Sequence, residues 1–583
     1  MSKEWSTILG ICGIMAAMIL IYGAYILYHN WKTKRKRLER IRRDWGAWPA
    51  REYDDSDWQA AEGYYANKQS GCFQIDDTTW NDLDLDRVFM LLNHTESFLG
   101  EGYLYYLLRT PSFSEEELAE RERLIRYFSE HPAQREQLQM FFSRTGKSGR
   151  TSVFDAVYNL AEAKPISNLH HYLIVGVFLA SIVSVFFAPQ PGILLLMCGM
   201  GLTMWDYYHQ KRPIQKFVVS CGFLLRTLEA SEEMEKMKLP ELSAYQERMS
   251  RARKAFGKLK RNTFFLINGS EAGDGLLAMM LLYLNSCFHI DLIQFAVVVK
   301  EMKLHIGDFE ILAEEMGKIE SAIAIASFRQ CMEGWCVPDL EFTGKRGLAL
   351  EAENLYHPLI REPVKNSIRA CRGVLLTGSN ASGKSTFLKT VAVNAILAQT
   401  AHTCLADRWE SGCFRVFSSM ALQDNLEGEE SYYIVEIKSL KRILDQFRSG
   451  AARGGEAEKA PVLCFVDEVL RGTNTVERIA ASAQILKYMA GKPAICFAAT
   501  HDIELTHILE DYYNNYHFQE EVLDGDIRFD YKLYSGRATS RNAIKLLSIM
   551  GYDEHVTASA EAAAEHFLKE GEWAKERSAG GCW

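Results

Sequence analysis

The residues best suited to chemistry lie in the C-terminal half of the chain. Val374-Leu375-Leu376-Thr377 reads as a short apolar strand, and it runs directly into Gly378-Ser379-Asn380-Ala381-Ser382-Gly383-Lys384-Ser385, with a helix opening near Thr386. This is a complete GxxxxGK[ST] phosphate-binding loop in a strand–loop–helix context. Its glycines let backbone N–H groups converge on phosphate oxygens, and the helix N-terminus favours their negative charge. Lys384 is placed to reach β- and γ-phosphates and Ser385 to hold Mg2+. The expected cofactors are therefore ATP and Mg2+.

A second apolar strand, Val462 to Val466, ends in Asp467-Glu468. Its residues are apolar without alternation, as in a strand buried on both faces. An Asp at such a strand end can complete the Mg2+ shell, and the neighbouring Glu can take a proton from an attacking water. A third strand, Ala494 to Ala499, leads into Thr500-His501, where the imidazole can contact a γ-phosphate; a lone histidine after a strand is also a common structural feature. The expected catalytic set is Glu468, His501 and Lys384, with Ser385 and Asp467 on the metal.

These motifs carry a family resemblance. Asp467-Glu468-Val469-Leu470-Arg471-Gly472-Thr473-Asn474-Thr475 resembles the DEIGRGTST motif of MutS-type ATPases, and Ala499-Thr500-His501 matches that family's ATH. Thr377-Gly378-Ser379-Asn380 is similar to TGPN, and Asn354-Leu355-Tyr356-His357-Pro358 to the GRHP region. Asp424 to Tyr433 resembles DDLAGGRSTF, and Ser540-Arg541-Asn542-Ala543 the SYGI region. The resemblance covers about Leu340 to Ala560, with a weaker one from Leu91 to Pro132 to the start of the MutS core and lever domain. It implies a MutS- or ABC-like α/β P-loop ATPase behind an all-α core, and a homodimer formed through the ATPase domains. It also implies that Ser431 reaches the nucleotide of the opposite subunit.

The resemblance has limits. Residues 32–84 are too few to hold the family's mismatch-reading and connector domains. The triplets Phe113-Ser114-Glu115 and Phe128-Ser129-Glu130 fall inside helical sequence and read as coincidences. A family nuclease module has no counterpart here. Duplex DNA stays a candidate partner without mismatch specificity. An ABC-type transporter subunit is the more distant alternative, because Asn425-Leu426-Glu427-Gly428-Glu429 stands where an LSGGQ-like motif belongs.

Other elements must position this machinery. The 583 residues, 48% hydrophobic and 24% charged, suffice for several folded domains. A net charge of −9 argues against a wholly basic nucleic-acid binder. The 13 cysteines form no CxxC pair and read as reduced packing residues of a cytosolic compartment.

From Trp5 to Trp31 there is no Asp, Glu, Lys or Arg, which is enough for a spanning helix of about 20 residues. Lys32, Lys34, Arg35, Lys36, Arg37, Arg40, Arg42 and Arg43 follow, so this end is expected to be cytoplasmic and in reach of anionic lipid. A basic linker that merely fixes topology is the plainer reading. Pro165 to Trp205 is again uncharged, with Pro189-Gln190-Pro191-Gly192 as the turn of a membrane hairpin. Leu276 to Val299 is apolar but interrupted by Asn285, His289, Asp291 and Gln294, and is expected as a buried core helix. Arg251, Lys254, Lys258 and Arg261 share a helix face, with Arg248, Arg253 and Lys260 nearby. That stripe reads as a solvated face or as a phosphate contact.

The expected order is a transmembrane helix at 1–31, a basic juxtamembrane segment and linker at 32–84, and helical core at 85–165. A transmembrane hairpin at 166–208, helical core and lever at 209–335, the ATPase domain at 336–560 and a tail at 561–583 complete it. The whole describes a multi-pass protein of the plasma membrane with a cytoplasmic ATPase. An ATP-gated membrane scaffold or signalling protein that binds no DNA is the alternative. In a background stripped of native cysteines, single cysteines at Ser2 and Gln190 should react with an impermeant maleimide on intact cells, and cysteines at Arg40 and Lys384 should not. Protection at Gln190 would mark a hairpin buried in protein.

Overall fold

The computed structural model of the chain describes residues 3–68, 71–147, 152–162, 167–237, 239–257, 276–342, 347–379, 382–420, 432–449, 459–471, 473–523, 526–538 and 543–573. They divide into two compact units. One contains Met1–Ser70, Phe89–Arg109 and Ala119–Cys331; the other contains Gly71–Val88, Thr110–Leu118 and Met332–Trp583.

The first unit is helical. Its opening helix, Lys3–Asp44, does not stop where the apolar run does. The basic segment contains no Gly or Pro and is built from strong helix formers, so nothing breaks the backbone ladder before Gly46. Gly46 ends it at φ +68, and a Cβ there would lie 2.7 Å from Gln330. The start of the expected juxtamembrane segment and linker is thus helical and packed: Ile41 is buried, Arg42 pairs bidentately with Glu136 at 2.9 and 2.7 Å, and Arg40 pairs with Glu96. The helix Phe98–Arg109 then packs on the long helix Ile290–Cys331 through glycines. A Cβ at Gly100 would fall 2.3 Å from the Glu320 carboxylate, and one at Gly317 would fall 2.4 Å from Tyr103.

The apolar hairpin consists of Leu169–Phe187 and Pro189–Lys236. Its turn is tighter than the sequence suggests. Ala188 alone leaves helical geometry, and Pro189 and Pro191 open the second helix, where a missing N–H costs nothing. Gly192 lets the helices meet, since a Cβ there would lie 2.6 Å from the Val185 Cα. Leu169–Phe187 is long and apolar enough to cross a membrane, and only 17% of its most apolar window is buried. The region expected as one buried core helix is corrected. It is two helices, Leu276–Phe288 and Ile290–Cys331, bent by 73° at His289, whose φ is +50. Met279, Tyr283 and Leu284 of the first helix are exposed, burial sets in at Asn285 and Ser286 just before the bend, and Leu292, Phe295 and Val299 beyond it are buried.

Of the basic stripe, Arg251 and Lys254 lie on the helix Ser243–Ala255 with Arg248 and Arg253 beside them, and these three arginines are paired with carboxylates of the same unit. Arg248 pairs with Glu315 at 2.6 Å and Arg251 with Glu247 at 2.5 Å, while Arg253 pairs with Glu235. Lys258, Lys260 and Arg261 lie outside the described residues.

The second unit is α/β. In chain order its strands are β1 Asp339–Glu341, β2 Leu350–Leu355, β3 Asn366–Ala370, β4 Gly373–Thr377, β5 Arg408–Gly412 and β6 Arg415–Ser419. They continue with β7 Val462–Asp467, β8 Ala494–Ala499, β9 Tyr513–His517, β10 Glu520–Leu523, β11 Asp526–Phe529 and β12 Tyr534–Ser535. A six-stranded sheet runs β12-β9-β4-β8-β7-β6, parallel except for β12; β1-β5-β2-β3 form a second sheet and β10-β11 a hairpin. Both faces of the large sheet are covered. Val462, Cys464 and Val466 pack toward Leu440, Ile443, Leu486 and Met489 of the helices Tyr432–Ser449 and Thr475–Ala490. The helix Lys384–Thr400 packs on β6, β7 and β8.

Residues 71–88, expected as linker up to 84 and as helical core beyond it, belong to this unit and close its edge. Asp76 caps the short helix Asp77–Asp82, and Asp82 accepts hydrogen bonds from the Ser418 hydroxyl at 2.7 Å and the Met420 N–H at 2.9 Å at the outer strand β6. Edge strands left open invite pairing with other chains, and a covering helix prevents it. Asp82→Ala strands these buried donors. It should destabilise the unit by about 1–3 kcal/mol, read as a lower urea midpoint in the transition reported by near-ultraviolet dichroism.

Candidate functional site

Strand register brings the candidate residues together. Leu376 of β4 and Asp467 of β7 both pair with Ala499 of β8, so three neighbouring parallel strands end at one level. Ligands of open α/β sheets bind beyond such carboxyl ends. The loops leaving these ends carry Gly378–Ser385, Asp467–Glu468 and Thr500–His501.

The loop after β4 needs its glycines. Gly378 sits at φ +143, where a Cβ would lie 2.7 Å from the Phe518 carbonyl and 2.9 Å from the Ser382 hydroxyl; Gly383 sits at φ +106. The helix beginning at Lys384 has no side-chain N-cap, so its first N–H groups are left for an anion. Ser382 donates to the Ser379 carbonyl at 2.8 Å, and Ser379 donates to Glu520 at 2.6 Å. The Lys384 ammonium is buried and donates to the carbonyls of Gly378 and Ser379 at 2.8 and 2.7 Å. Burial lowers its pKa, against the pull of Asp467 and Glu468. Asn380, Ala381 and Ser431 lie outside the described residues.

Asp467 is hydrogen-bonded to Ser385, so the two expected Mg2+ ligands are neighbours. Burial raises the Asp467 pKa, and Ser385, Lys384 and His501 pull it back. A divalent cation would relieve that burial, and this donor set of one carboxylate and one hydroxyl suits Mg2+. Glu468 follows with φ +57, outside the strand, held by its N–H to the Ala499 carbonyl at 2.9 Å. Its carboxylate contacts His501 Nε2 at 3.0 Å and Arg471 Nε at 3.0 Å. The His501 hydrogen bond is the largest cause of its depressed pKa, followed among the favourable ones by the charge of Arg471. Glu468 is therefore an ionised base with an orienting imidazole beside it.

Sequence reasoning did not single out several neighbours. Arg471 and Arg478 share with Glu468, Thr500 and His501 a pocket of about 170 Å³. Arg478 forms a bidentate pair with Asp502 at 2.9 and 2.6 Å, next to His501. Glu436 receives the Arg471 N–H at 3.2 Å, and burial raises its pKa. A second pocket of about 240 Å³ opens beside Gly383 and Thr386, lined by Tyr356, His357, Phe387, Phe518 and Tyr531. Burial pushes His357 down to about 4, so it presents a neutral ring there. The aromatic residues of this pocket lie on segments far apart in the chain, and no local pattern announces them.

Residues 374–568 match the family MutS domain V. The DNA mismatch repair protein MutS of Aquifex pyrophilus is 29% identical over 282 residues, which is 45% of this chain and 30% of that protein. The DNA mismatch repair protein MutS 2 of Haloarcula marismortui is 30% identical over 186 residues, 31% of this chain and 18% of that protein. The human MutS protein homolog 4 is 30% identical over 207 residues, 32% and 21% of the respective chains. The chain thus spans less than a third of the length of these curated relatives.

The carboxylate geometry sets a pH dependence. Glu468 is held below its ordinary value, so its charge and the stability it contributes persist above the ordinary carboxylate range and are lost as pH falls through the depressed value. His501→Ala removes the largest cause and returns Glu468 toward its ordinary value. The acid limb of the pH–rate profile for ATP turnover should then move to higher pH. An unmoved limb would assign that limb to another group.

Proposed function

We propose that this chain, a MutS-family protein by its C-terminal unit, is a membrane-anchored ATPase that binds Mg·ATP and hydrolyses it as a dimer. The observation that carries this reading is the convergence of Lys384, Ser385, Asp467, Glu468 and His501 at the ends of β4, β7 and β8. Gly378, Ser379, Ser382, Gly383 and Thr386 would cradle the phosphates, and the loop motif assigns Asn380 and Ala381 to the same task. Lys384 would offset the charge at the β- and γ-phosphates, and Ser385 and Asp467 would hold Mg2+, which would supply Lewis-acid stabilisation of the charge developing on the transferred phosphate. Glu468, oriented by His501, takes the proton from the attacking water. The aromatic pocket beside Thr386 is of the right size and character for a purine ring.

Nucleotide-driven closure of two such units moves the helical levers and, through them, the apolar helices held in a membrane. The exposed apolar face of Leu169–Phe187 supports the membrane part of the reading. The pairing of Arg248, Arg251 and Arg253 with carboxylates favours a signalling or scaffolding role over duplex binding through that helix. Turnover of the detergent-solubilised protein with and without duplex DNA separates the two, since binding through phosphates falls steeply with salt.

Lys384→Ala should abolish ATP binding, measured with a fluorescent ATP analogue. Glu468→Gln should keep binding and lose hydrolysis by about 10²- to 10⁴-fold, because an amide keeps the shape and cannot accept the proton. Turnover near wild type in either variant would remove the assignment.

Ser431, by the MutS resemblance, serves the partner's nucleotide. Mixed Lys384→Ala and Ser431→Ala chains should therefore recover about one working site per heterodimer, seen as turnover absent from either variant alone. A folded, dimeric mixture that stays inactive would exclude the trans role.

A further inference from the structure

We propose that His171, Asp206 and His289 form a binding site for a divalent transition metal of the zinc class, tying the apolar hairpin to the broken helix beside it. The three residues come from separate elements. His171 stands near the start of Leu169–Phe187, and Asp206 stands on Pro189–Lys236, nearly as far beyond Ala188 as His171 is before it. His289 is the break between Leu276–Phe288 and Ile290–Cys331. All three are buried, and one potential ligand atom of each lies within 4.8 Å of the others.

Proton bookkeeping favours a cation over a set of ordinary hydrogen bonds. His289 Nε2 is 3.0 Å from the Thr203 carbonyl, which can only accept, so Nε2 carries the hydrogen. In the tautomer whose only hydrogen is on Nε2, a lone pair stands at Nδ1, and that atom faces His171 Nδ1 at 3.1 Å and Asp206 Oδ2 at 3.8 Å. Without a metal, His171 Nδ1–H can donate to this lone pair, but Asp206 Oδ2 then has no hydrogen-bond donor although its residue is 5% exposed. An unmatched carboxylate oxygen in such a place is costly. A cation among the three atoms satisfies all of them.

The outer contacts fit as well. Metal-binding histidines usually donate their second ring N–H to a carbonyl or carboxylate, and Thr203 accepts from His289 in that way. His170 Nε2 lies 3.0 Å from Asp206 Oδ1, the oxygen not aimed at the cluster, and fixes the carboxylate orientation. Tetrahedral zinc with Zn–N near 2.0–2.1 Å places neighbouring ligand atoms about 3.4 Å apart. The His171–His289 separation of 3.1 Å is already close to that, and Asp206 Oδ2, 3.8 Å from His289 Nδ1, has to move in toward both rings. Two imidazoles and one carboxylate suit zinc-class metals over Mg2+ or Ca2+. One position of the tetrahedron remains for a non-protein ligand.

The site would join the two hairpin helices to the break at His289, where a bound ion would hold the 73° bend. It is independent of the nucleotide reading, and its failure would leave that reading untouched.

The test uses the full chain, purified in detergent without a polyhistidine tag, stripped with a chelator and loaded with Zn2+ or Co2+ alone in the absence of nucleotide. Mass spectrometry of metals after gel filtration should find about one Zn2+ per chain, and Co2+ should give the visible absorption of a low-coordinate nitrogen–oxygen site. Asp206→Asn keeps the size of the side chain and should weaken binding at least about tenfold, as should His171→Gln; Zn2+ should raise the melting temperature of the wild type and not of Asp206→Asn. Sub-stoichiometric metal in the wild type, or equal binding by wild type and both variants, would overturn the proposal and leave a histidine–histidine hydrogen bond in its place.

Discussion

Lys384 carries a positive charge at a position where water scarcely reaches, and the desolvation of that charge has to be met by groups the fold delivers. Two carbonyls of its own loop do so directly, and Asp467 and Glu468 do so through their field. The two carboxylates would not be at hand unless β4, β8 and β7 ended in register. The parallel sheet is thus the means by which a cation and two carboxylates with different surroundings are brought to one edge. The covering helices on both faces, and the short helix Asp77–Asp82 at the edge, keep those strand ends fixed.

Two carboxylates of similar intrinsic acidity are driven apart by their surroundings. Asp467 is buried and raised, and Glu468 is hydrogen-bonded to His501 and lowered. The first gains most from a metal ion, which restores the charge that burial disfavours. The second stays ionised and free to take a proton. Different roles for adjacent residues follow from one residue of backbone, because Glu468 leaves the strand at positive φ and turns toward His501 instead of continuing along β7.

The helical unit solves a different problem, which is how to bury polar groups among long helices. Glu320 is fully buried and its pKa is pushed up to about 7, yet it accepts from the N–H groups of Glu96 and Ser97 at 2.6 and 2.8 Å, so the turn before Phe98 is held by a side chain from a distant helix. Glu101 collects Arg51, Tyr53, Asn93 and Lys147 around a single oxygen. Glycines at 100 and 317 let these helices approach closely enough for such contacts. Polar satisfaction and close approach thus depend on each other, and neither is visible from helical periodicity.

The sequence alone determined the features that arise within a few residues. Gly378 to Ser385, the apolar strands before Asp467-Glu468 and before Thr500-His501, and the uncharged runs at the N-terminus and around Pro189 were all legible, because backbone freedom, strand burial and bilayer length act locally on the chain. Tertiary structure decided what depends on residues far apart in it. The pairing of His501 with Glu468, the service of residues 71–88 as an edge cap, the aromatic pocket beside Thr386 and the meeting of His171 with His289 all follow from strand order and helix packing. The basic segment after Trp31 shows the boundary between the two: its charges and helix propensity were plain, but that Arg42 would be held by Glu136 depended on where another helix came to lie. Local rules fix which conformation a segment adopts, whereas the partner that satisfies a buried charge is chosen only when the elements are packed together.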